Sequence, residues 1–301
     1  MSSISLKPIE QEVIVITGAS SGIGLCTAES AAKKGAKVVL AARSDRTLDE
    51  VAQRINAEGG QAIAAPCDVA DRKQVQSVAD AAIRAFGRID TWVNNAGVAI
   101  LGRIDQVSED DSRRLFDTDF WGVVNGSLVA LPYLKANAPH GGALINIGSE
   151  VSDAVAPLLG MYVAAKHAVK GFTDVLRIET ERIDRSPVSV TLIQPTAVDT
   201  PFDAHARNYT DKEGDLPRPM IDPQHVADAI LSAAEKPTNN IKVGVMSKVN
   251  TFMAKNLPGL AERMATKQAA GLQRDEEPRN PAGALFIPGE SGHIRGDHAS
   301  A

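Results

Sequence analysis

The segment from Val13 to Lys34 limits what this chain can fold into more than any other. Val13-Ile14-Val15-Ile16 is a continuous apolar run, as in a strand whose sheet is covered on both faces. It leads into Thr17-Gly18-Ala19-Ser20-Ser21-Gly22-Ile23-Gly24 and then a helical pattern through Ala28, Ala31 and Ala32. A strand that ends in glycines and turns into a helix gathers unpaired backbone N–H groups and the positive end of the helix dipole at one point. Such a point is an anion cradle, and the anion it suggests is a pyrophosphate. The spacing is Gly-x3-Gly-x-Gly, unlike the common Gly-x-Gly-x-x-Gly dinucleotide fingerprint. An isolated glycine cluster is more often an ordinary turn; strand before and helix after argue for a cofactor loop.

The same alternation continues. Strand-like runs fall at Val13–Ile16, Lys37–Ala41, Ala62–Ala65, Thr91–Asn94, Ala143–Ile147, Val188–Ile193 and Ile241–Val245. Helical patterns lie between them at Ile23–Lys34, Arg46–Glu58, Arg72–Phe86, Glu109–Leu134, Met161–Arg182 and Pro223–Glu235. Asp222 before Pro223 is a good helix start, and Gly35 and Gly59 stand where helices should stop. This order predicts an α/β fold with a doubly wound parallel sheet of Rossmann type, and ligands at the carboxyl ends of the strands. It is expected as a single domain, 1–271, binding a dinucleotide and catalysing, with a C-terminal extension, 272–301, that reads as an extended or partly disordered tail. Phe252, Met253, Leu257, Leu260 and Met264 suit an amphipathic helix broken by Pro258. That helix either covers a substrate mouth or packs on the core.

Composition excludes several classes. Lys and Arg number 32 against 37 Asp and Glu, a net charge of −5 that gives no reason to expect nucleic acid or an anionic membrane as partner. No stretch reaches the roughly 18 apolar residues of a membrane helix, and Met1 to Gln11 lacks the pattern of an export leader. Cys26 and Cys67 are too few for a disulfide framework, so a cytoplasmic location is expected. Neither the cysteines nor His140, His167, His205, His225, His293 and His298 have metal-ligand spacing, and no metal is expected.

Tyr162-Val163-Ala164-Ala165-Lys166 places a phenol and an ammonium on one helix face. A free tyrosine has a pKa of about 10 and exchanges protons poorly at neutral pH. A neighbouring ammonium favours the phenolate and lowers that value. Taken alone the pair is more often merely structural. Ser149, at the end of the strand-like run and 13 residues before Tyr162, can reach the same pocket if the chain loops out and returns on the next helix. Asn94-Asn95-Ala96-Gly97 supplies small residues and amides at another strand end, or is simply a turn.

Together these motifs resemble the single-domain Tyr-x3-Lys branch of the short-chain dehydrogenase/reductase family, over residues 10 to 246. The resemblance implies an oxidoreductase that interconverts a ketone or aldehyde and an alcohol, with hydride carried by a nicotinamide cofactor. Tyr162 would be the general acid/base, Ser149 would hydrogen-bond the substrate oxygen, and Lys166 would bind the nicotinamide ribose and tune the tyrosine. Gly18, Ser20, Ser21, Gly22, Ile23 and Gly24 would hold the pyrophosphate, Asn94, Ala96 and Gly97 a ribose, Asp68 and Val69 the adenine, and Val198 and Thr200 the nicotinamide amide. After the second strand, Ala42-Arg43 stands where an acidic residue would select an unphosphorylated ribose. NADP is therefore expected, NADPH being preferred over NADH, unless Arg43 is a solvated surface residue; Ser21 adds no second basic group.

Two departures stand out. Pro195-Thr196 replaces the family's proline-glycine pair, and Asp119 occupies the position of an asparagine in the family's proton relay. An aspartate keeps the main-chain carbonyl used there but adds a charge near Lys166. Trp121 lies on a helix that forms part of a subunit interface in relatives, which implies a homodimer or homotetramer. The alternative to an enzyme is a nucleotide-binding regulatory or scaffold protein whose turnover Asp119 impairs.

Overall fold

The strands of the computed structural model are β1 (Val13–Thr17), β2 (Lys37–Ala42), β3 (Gln61–Pro66), β4 (Thr91–Asn94), β5 (Ile100–Leu101), β6 (Gly142–Ile147), β7 (Val188–Pro195), β8 (Arg207–Asn208) and β9 (Asn240–Val243). Residues 4–137, 139–289 and 292–296 are described. Residues 1–3, His298 and the end of the expected tail lie outside them.

Seven strands form one parallel sheet in the order β3-β2-β1-β4-β6-β7-β9. This is the expected doubly wound sheet. The continuous apolar runs follow from coverage of both faces. Ile14, Ile16, Val38 and Leu40 pack on one side with α1 (Gly22–Lys33), α2 (Asp45–Ala57) and α7 (Pro223–Glu235). Their neighbours Val13, Val15, Val39 and Ala41 pack on the other with α3 (Arg72–Phe86), α5 (Gly122–Lys135) and the end of α6 (Gly160–Arg177). Successive strand residues point to opposite faces, so a strand buried twice has no polar side. Asp222 caps α7 by accepting from Gln224 N at 2.8 Å, as Asp71 caps α3.

The winding reverses between β1 and β4, and the crevice at their carboxyl ends is where such sheets bind ligands.

Three features differ from the sequence expectation. The pattern Glu109–Leu134 is not one regular helix: α4 (Glu109–Phe116) passes through a π-turn, Asp117–Trp121, into α5. Likewise Met161–Arg182 is α6 followed by a π-turn, Ile178–Ile183. Apolar spacing does not register one widened turn inside an otherwise helical run. The third is a small parallel pair, β5 with β8, too short to show a period.

After β9, α8 (Val245–Asn256) and α9 (Pro258–Gln268) meet at Leu257, where Pro258 opens the second helix. Residues 273–289 and 292–296 carry no helix or strand, yet Ala284 and Leu285 are buried. No helix of the described residues is long and apolar enough to cross a membrane.

Candidate active site

The glycine loop closes on the turn after β4. Gly18 has φ +68°, and a Cβ there would lie 2.8 Å from Ala96 Cα. At Gly24 it would lie 2.2 Å from the Gly18 carbonyl oxygen, so neither position accepts a side chain without moving backbone. Thr17 Oγ1 locks the two loops: it accepts from Asn95 N at 3.0 Å and Ala96 N at 3.1 Å while donating to Val93 O. Asn95 Nδ2 donates to Thr17 O at 2.9 Å.

A cavity of about 440 Å³ runs from this cradle in both directions. Gly18, Ser20, Ser21, Gly22, Ile23, Arg43, Asp68, Val69, Ala96, Gly97, Ser149, Tyr162, Lys166, Val198 and Thr200 all line it. Three of the residues singled out from sequence stand behind the wall instead. Gly24 packs beneath Gly18. Asn94 is buried, accepting from Trp92 Nε1 at 2.8 Å and donating to Asn146 Oδ1 at 2.8 Å, so its amide ties β4 to β6. Asp119 is fully buried behind Gly97. Asn95, rather than Asn94, faces the cavity.

At one end of the cavity lie Ser149, Tyr162 and Lys166. Ser149 caps a short 3₁₀ turn, Glu150–Ser152, with a reciprocal capping box that fixes its hydroxyl at the end of β6. The Ser149 hydroxyl lies near the Tyr162 phenol and lowers its pKa somewhat, and the Tyr162 ring is 5.5 Å from that of Phe202. Lys166 Nζ is 5.4 Å from the Tyr162 ring centroid and donates to Ile147 O at 3.3 Å. Asp119 Oδ2 stands 3.4 Å from Lys166 Nζ, long for a hydrogen bond but within ion-pair range, and Oδ1 accepts from Val98 N at 2.8 Å. Both carboxylate oxygens thus face donors.

Burial pushes the Tyr162 phenol above its ordinary pKa; the Lys166 ammonium pulls it back and the Asp119 carboxylate pushes it up again. Burial pulls Lys166 down, but Asp119 and then Tyr162 outweigh it, so its net direction is up. Asp119 itself is raised by burial, against the pull of Lys166 and the Val98 N–H. The balance keeps Tyr162 protonated and Lys166 charged at neutral pH. That is the state a proton donor to a developing alkoxide requires.

The opposite end is built by Ala42, Arg43, Asp68 and Val69. The chain past Leu272 returns here: Arg43 Nη1 donates to the carbonyls of Leu285 at 3.0 Å and Phe286 at 3.2 Å, and Nη2 donates to that of Ala284. The wide mouth is covered by α8 and α9, which present Met253, Ala261, Met264 and Ala265. Asn250 of α8 donates to Glu150 Oε2 at 3.1 Å, tying the cover to the end of β6. Of the apolar set expected here, Met253 and Met264 face the cavity, whereas Phe252, Leu257 and Leu260 are exposed. His205 also lines the cavity; burial and then Arg43 lower its pKa. Nothing local in sequence marks His205, Phe202 or residues 284–289, because only the fold brings them here.

The residues fit a nicotinamide dinucleotide. A cradle that tolerates no Cβ continues on one side to Arg43, Asp68 and Val69 and on the other to Ser149 and Tyr162. When bound, that cofactor would supply the hydride, and this chain would orient it. Fold and site together define a Rossmann-type oxidoreductase of the nicotinamide-nucleotide class. A sequence profile for short chain dehydrogenases matches residues 12–211, and the chain belongs to the short-chain dehydrogenase/reductase family. It is 43% identical over 296 residues to the uncharacterized oxidoreductase YxnA of Bacillus subtilis, covering 97% of this chain and 83% of that one. Among solved structures, a short chain dehydrogenase/reductase from Burkholderia phymatum in complex with NAD is similar with TM-score 0.72 and 27% identity, over 91% of this chain and 99% of the other. An alcohol dehydrogenase from Thermococcus sibiricus, complexed with 5-hydroxy-NADP, is similar with TM-score 0.66 and 27% identity, over 77% and 94%.

Proposed function

We propose that this chain is an NADP-dependent oxidoreductase that interconverts a ketone or aldehyde and an alcohol, using NADPH in preference to NADH. The observation that carries the reading is the convergence of Ser149, Tyr162 and Lys166 on one cavity that continues to Arg43. Tyr162 gives its proton to the carbonyl oxygen in reduction and takes it back in oxidation, while Ser149 orients that oxygen. Lys166 holds the nicotinamide ribose and stabilises the phenolate after proton transfer. Gly18, Ser20, Ser21, Gly22 and Ile23 hold the pyrophosphate with Gly24 allowing the close packing beneath Gly18, Ala96 and Gly97 shape the ribose site with Asn94 supporting it from behind, Asp68 and Val69 shape the adenine site, and Val198 and Thr200 the carboxamide site. The apolar surface of Leu159, Phe202, Met253 and Met264 suits a substrate with an apolar body. The reading also places the protein in the cytoplasm as a homodimer or homotetramer.

A carbonyl panel with NADPH and NADH tests it, absorbance at the nicotinamide band reporting hydride transfer. Turnover of at least one ketone or aldehyde, faster with NADPH, is the expected result. The Asp119–Lys166 pair favours a second reading, a nucleotide-binding regulatory or scaffold protein with impaired turnover. Tight NADPH binding with no turnover across the panel would select it.

A further inference from the structure

One backbone oxygen of the C-terminal segment is shared by two cations. The Leu285 carbonyl accepts from Arg43 Nη1 at 3.0 Å and from Arg114 Nε at 3.2 Å. Arg114 Nη2 also pairs with Asp68 Oδ2 at 2.6 Å. Arg43 and Asp68 line the cavity, Arg114 pairs with Asp68 from outside that lining, and the two guanidinium groups share the Leu285 carbonyl, so one carboxylate stands near two cations and carbonyl dipoles meet the excess charge. Burial first, and then the neighbouring Arg114, hold the Arg43 guanidinium below its ordinary pKa, as expected where like charges are crowded. Guanidinium forks of this kind match the oxygens of a phosphate, and a full negative charge makes stronger hydrogen bonds than a carbonyl.

The segment that supplies these carbonyls is docked rather than loose. Gly283 has φ +57°, and a Cβ there would lie 2.5 Å from the Ala206 backbone. Ala284 N donates to His205 O at 2.8 Å, and the Leu285 side chain is fully buried beside Val98, Ile100 and Leu115. Further on, Ser44 Oγ donates to Gly289 O at 3.3 Å and Gly22 N to His293 O at 3.0 Å, so the segment follows the rim of the nucleotide cavity.

We propose that Arg114 is the second basic residue of the 2′-phosphate site, paired with Arg43, and that residues 284–286 form a strap whose Leu285 carbonyl stands in for a phosphate oxygen until NADPH displaces it. The inference rests on the NADP reading above. Rotation of the 285–286 peptide withdraws the one oxygen that the two guanidinium groups share while the Leu285 side chain stays in its pocket; Arg43 keeps the Ala284 and Phe286 carbonyls unless residues 284–286 shift together. A cofactor with a free 2′-hydroxyl has no charge to exchange for the carbonyls, so the strap remains in place. The site thereby separates NADPH from NADH through a residue on α4 and a segment more than 240 positions from Arg43 in the chain, as the bond between Arg43 and Phe286 shows.

The test is equilibrium binding of NADPH and of NADH to the full chain, read by cofactor fluorescence, for the native protein and for Arg43→Ala, Arg114→Ala and Arg114→Lys. Arg43→Ala and Arg114→Ala should each weaken NADPH about 10-fold and NADH less than about 2-fold, the scale of one charge-assisted contact. Arg114→Lys, which keeps the charge beside Asp68, should recover most of the NADPH affinity. Equal weakening of both cofactors by Arg114→Ala means that Arg114 only orders Asp68, and overturns the proposal. A selective effect of Arg43→Ala without one from Arg114→Ala also overturns it but leaves the NADP reading standing. No selectivity from Arg43→Ala removes that reading itself. In the native chain, hydrogen exchange of residues 284–287 should rise with NADPH and not with NADH; equal protection by both rules out the strap.

Discussion

At the Ser149 end of the cavity three side chains stand in the order Asp119, Lys166, Tyr162, the proposed acid–base group. Asp119 is fully buried 3.4 Å from the ammonium, which in turn lies 5.4 Å from the centre of the phenol ring. Replacing Tyr162 by Phe removes one oxygen and leaves the ring against Phe202. Folding and NADPH binding should therefore survive while turnover falls about 100-fold or more, as for loss of a general acid. Near-native turnover in a steady-state assay would discard the assignment. Asp119 raises the Tyr162 pKa and offsets the pull of Lys166. Asp119→Asn removes that push, so the tyrosine base becomes accessible at lower pH, and the alkaline limb of alcohol oxidation should move toward lower pH. Comparison of the two pH–rate profiles decides; an unchanged profile or the opposite shift excludes the coupling. The sequence shows that Asp119 stands at an unusual position, but not that its carboxylate meets Lys166. That depends on the separation of two helices, which no local pattern encodes.

At the scale of elements, the strands and most helices were legible because burial on both faces leaves continuous apolar runs, and caps such as Asp222-Pro223 mark helix starts. The break between α4 and α5 was not. Its π-turn buries both Thr118 and Asp119, which aims the carboxylate toward Lys166. Another buried acid sits at the entry to β1. Glu12 is buried, accepts from Thr91 Oγ1 at 2.7 Å, and is pushed up from 4.5 to about 8, by burial above all and also by Asp90 and Glu235. Its folded pKa lies above the unfolded one, so the neutral form stabilises the fold. That contribution is complete below the unfolded value of 4.5 and is lost as pH rises through about 8. Glu12→Gln keeps a neutral acceptor for Thr91 and should raise the melting temperature at about pH 9 while changing it little at about pH 4. A gain confined to acid, measured by thermal denaturation, would contradict this account.

At the scale of the whole molecule, apolar side chains remain exposed on several elements, the turn before α5 and helix α6 among them. Trp121 is 52% exposed beside α5, and Val175, on α6, is 55% exposed. Exposed apolar groups mark contact surfaces where they gather into one patch. A homodimer or homotetramer through these helices should be seen by sedimentation, and Trp121→Glu should shift it toward the monomer, since an unpaired charge is costly in such an interface. A native chain that sediments as a monomer would remove this interface from the reading.

The sequence by itself determined the doubly wound class, the cradle of Gly18, Gly22 and Gly24, the strand-end position of Ser149 and the shared helix face of Tyr162 and Lys166. All of these are local: a run, a turn or a helical repeat encodes each within a few residues. Only the tertiary structure decided that Asn95 rather than Asn94 lines the cavity, that Asp119 meets Lys166, and that Ala284, Leu285 and Phe286 lay their carbonyls on Arg43. The Arg43 contacts join residues far apart in the chain through backbone polar groups that every residue carries alike, and the Asp119–Lys166 pair depends on the separation of two helices. Local pattern holds no record of either, and they arise only when packing brings the segments together.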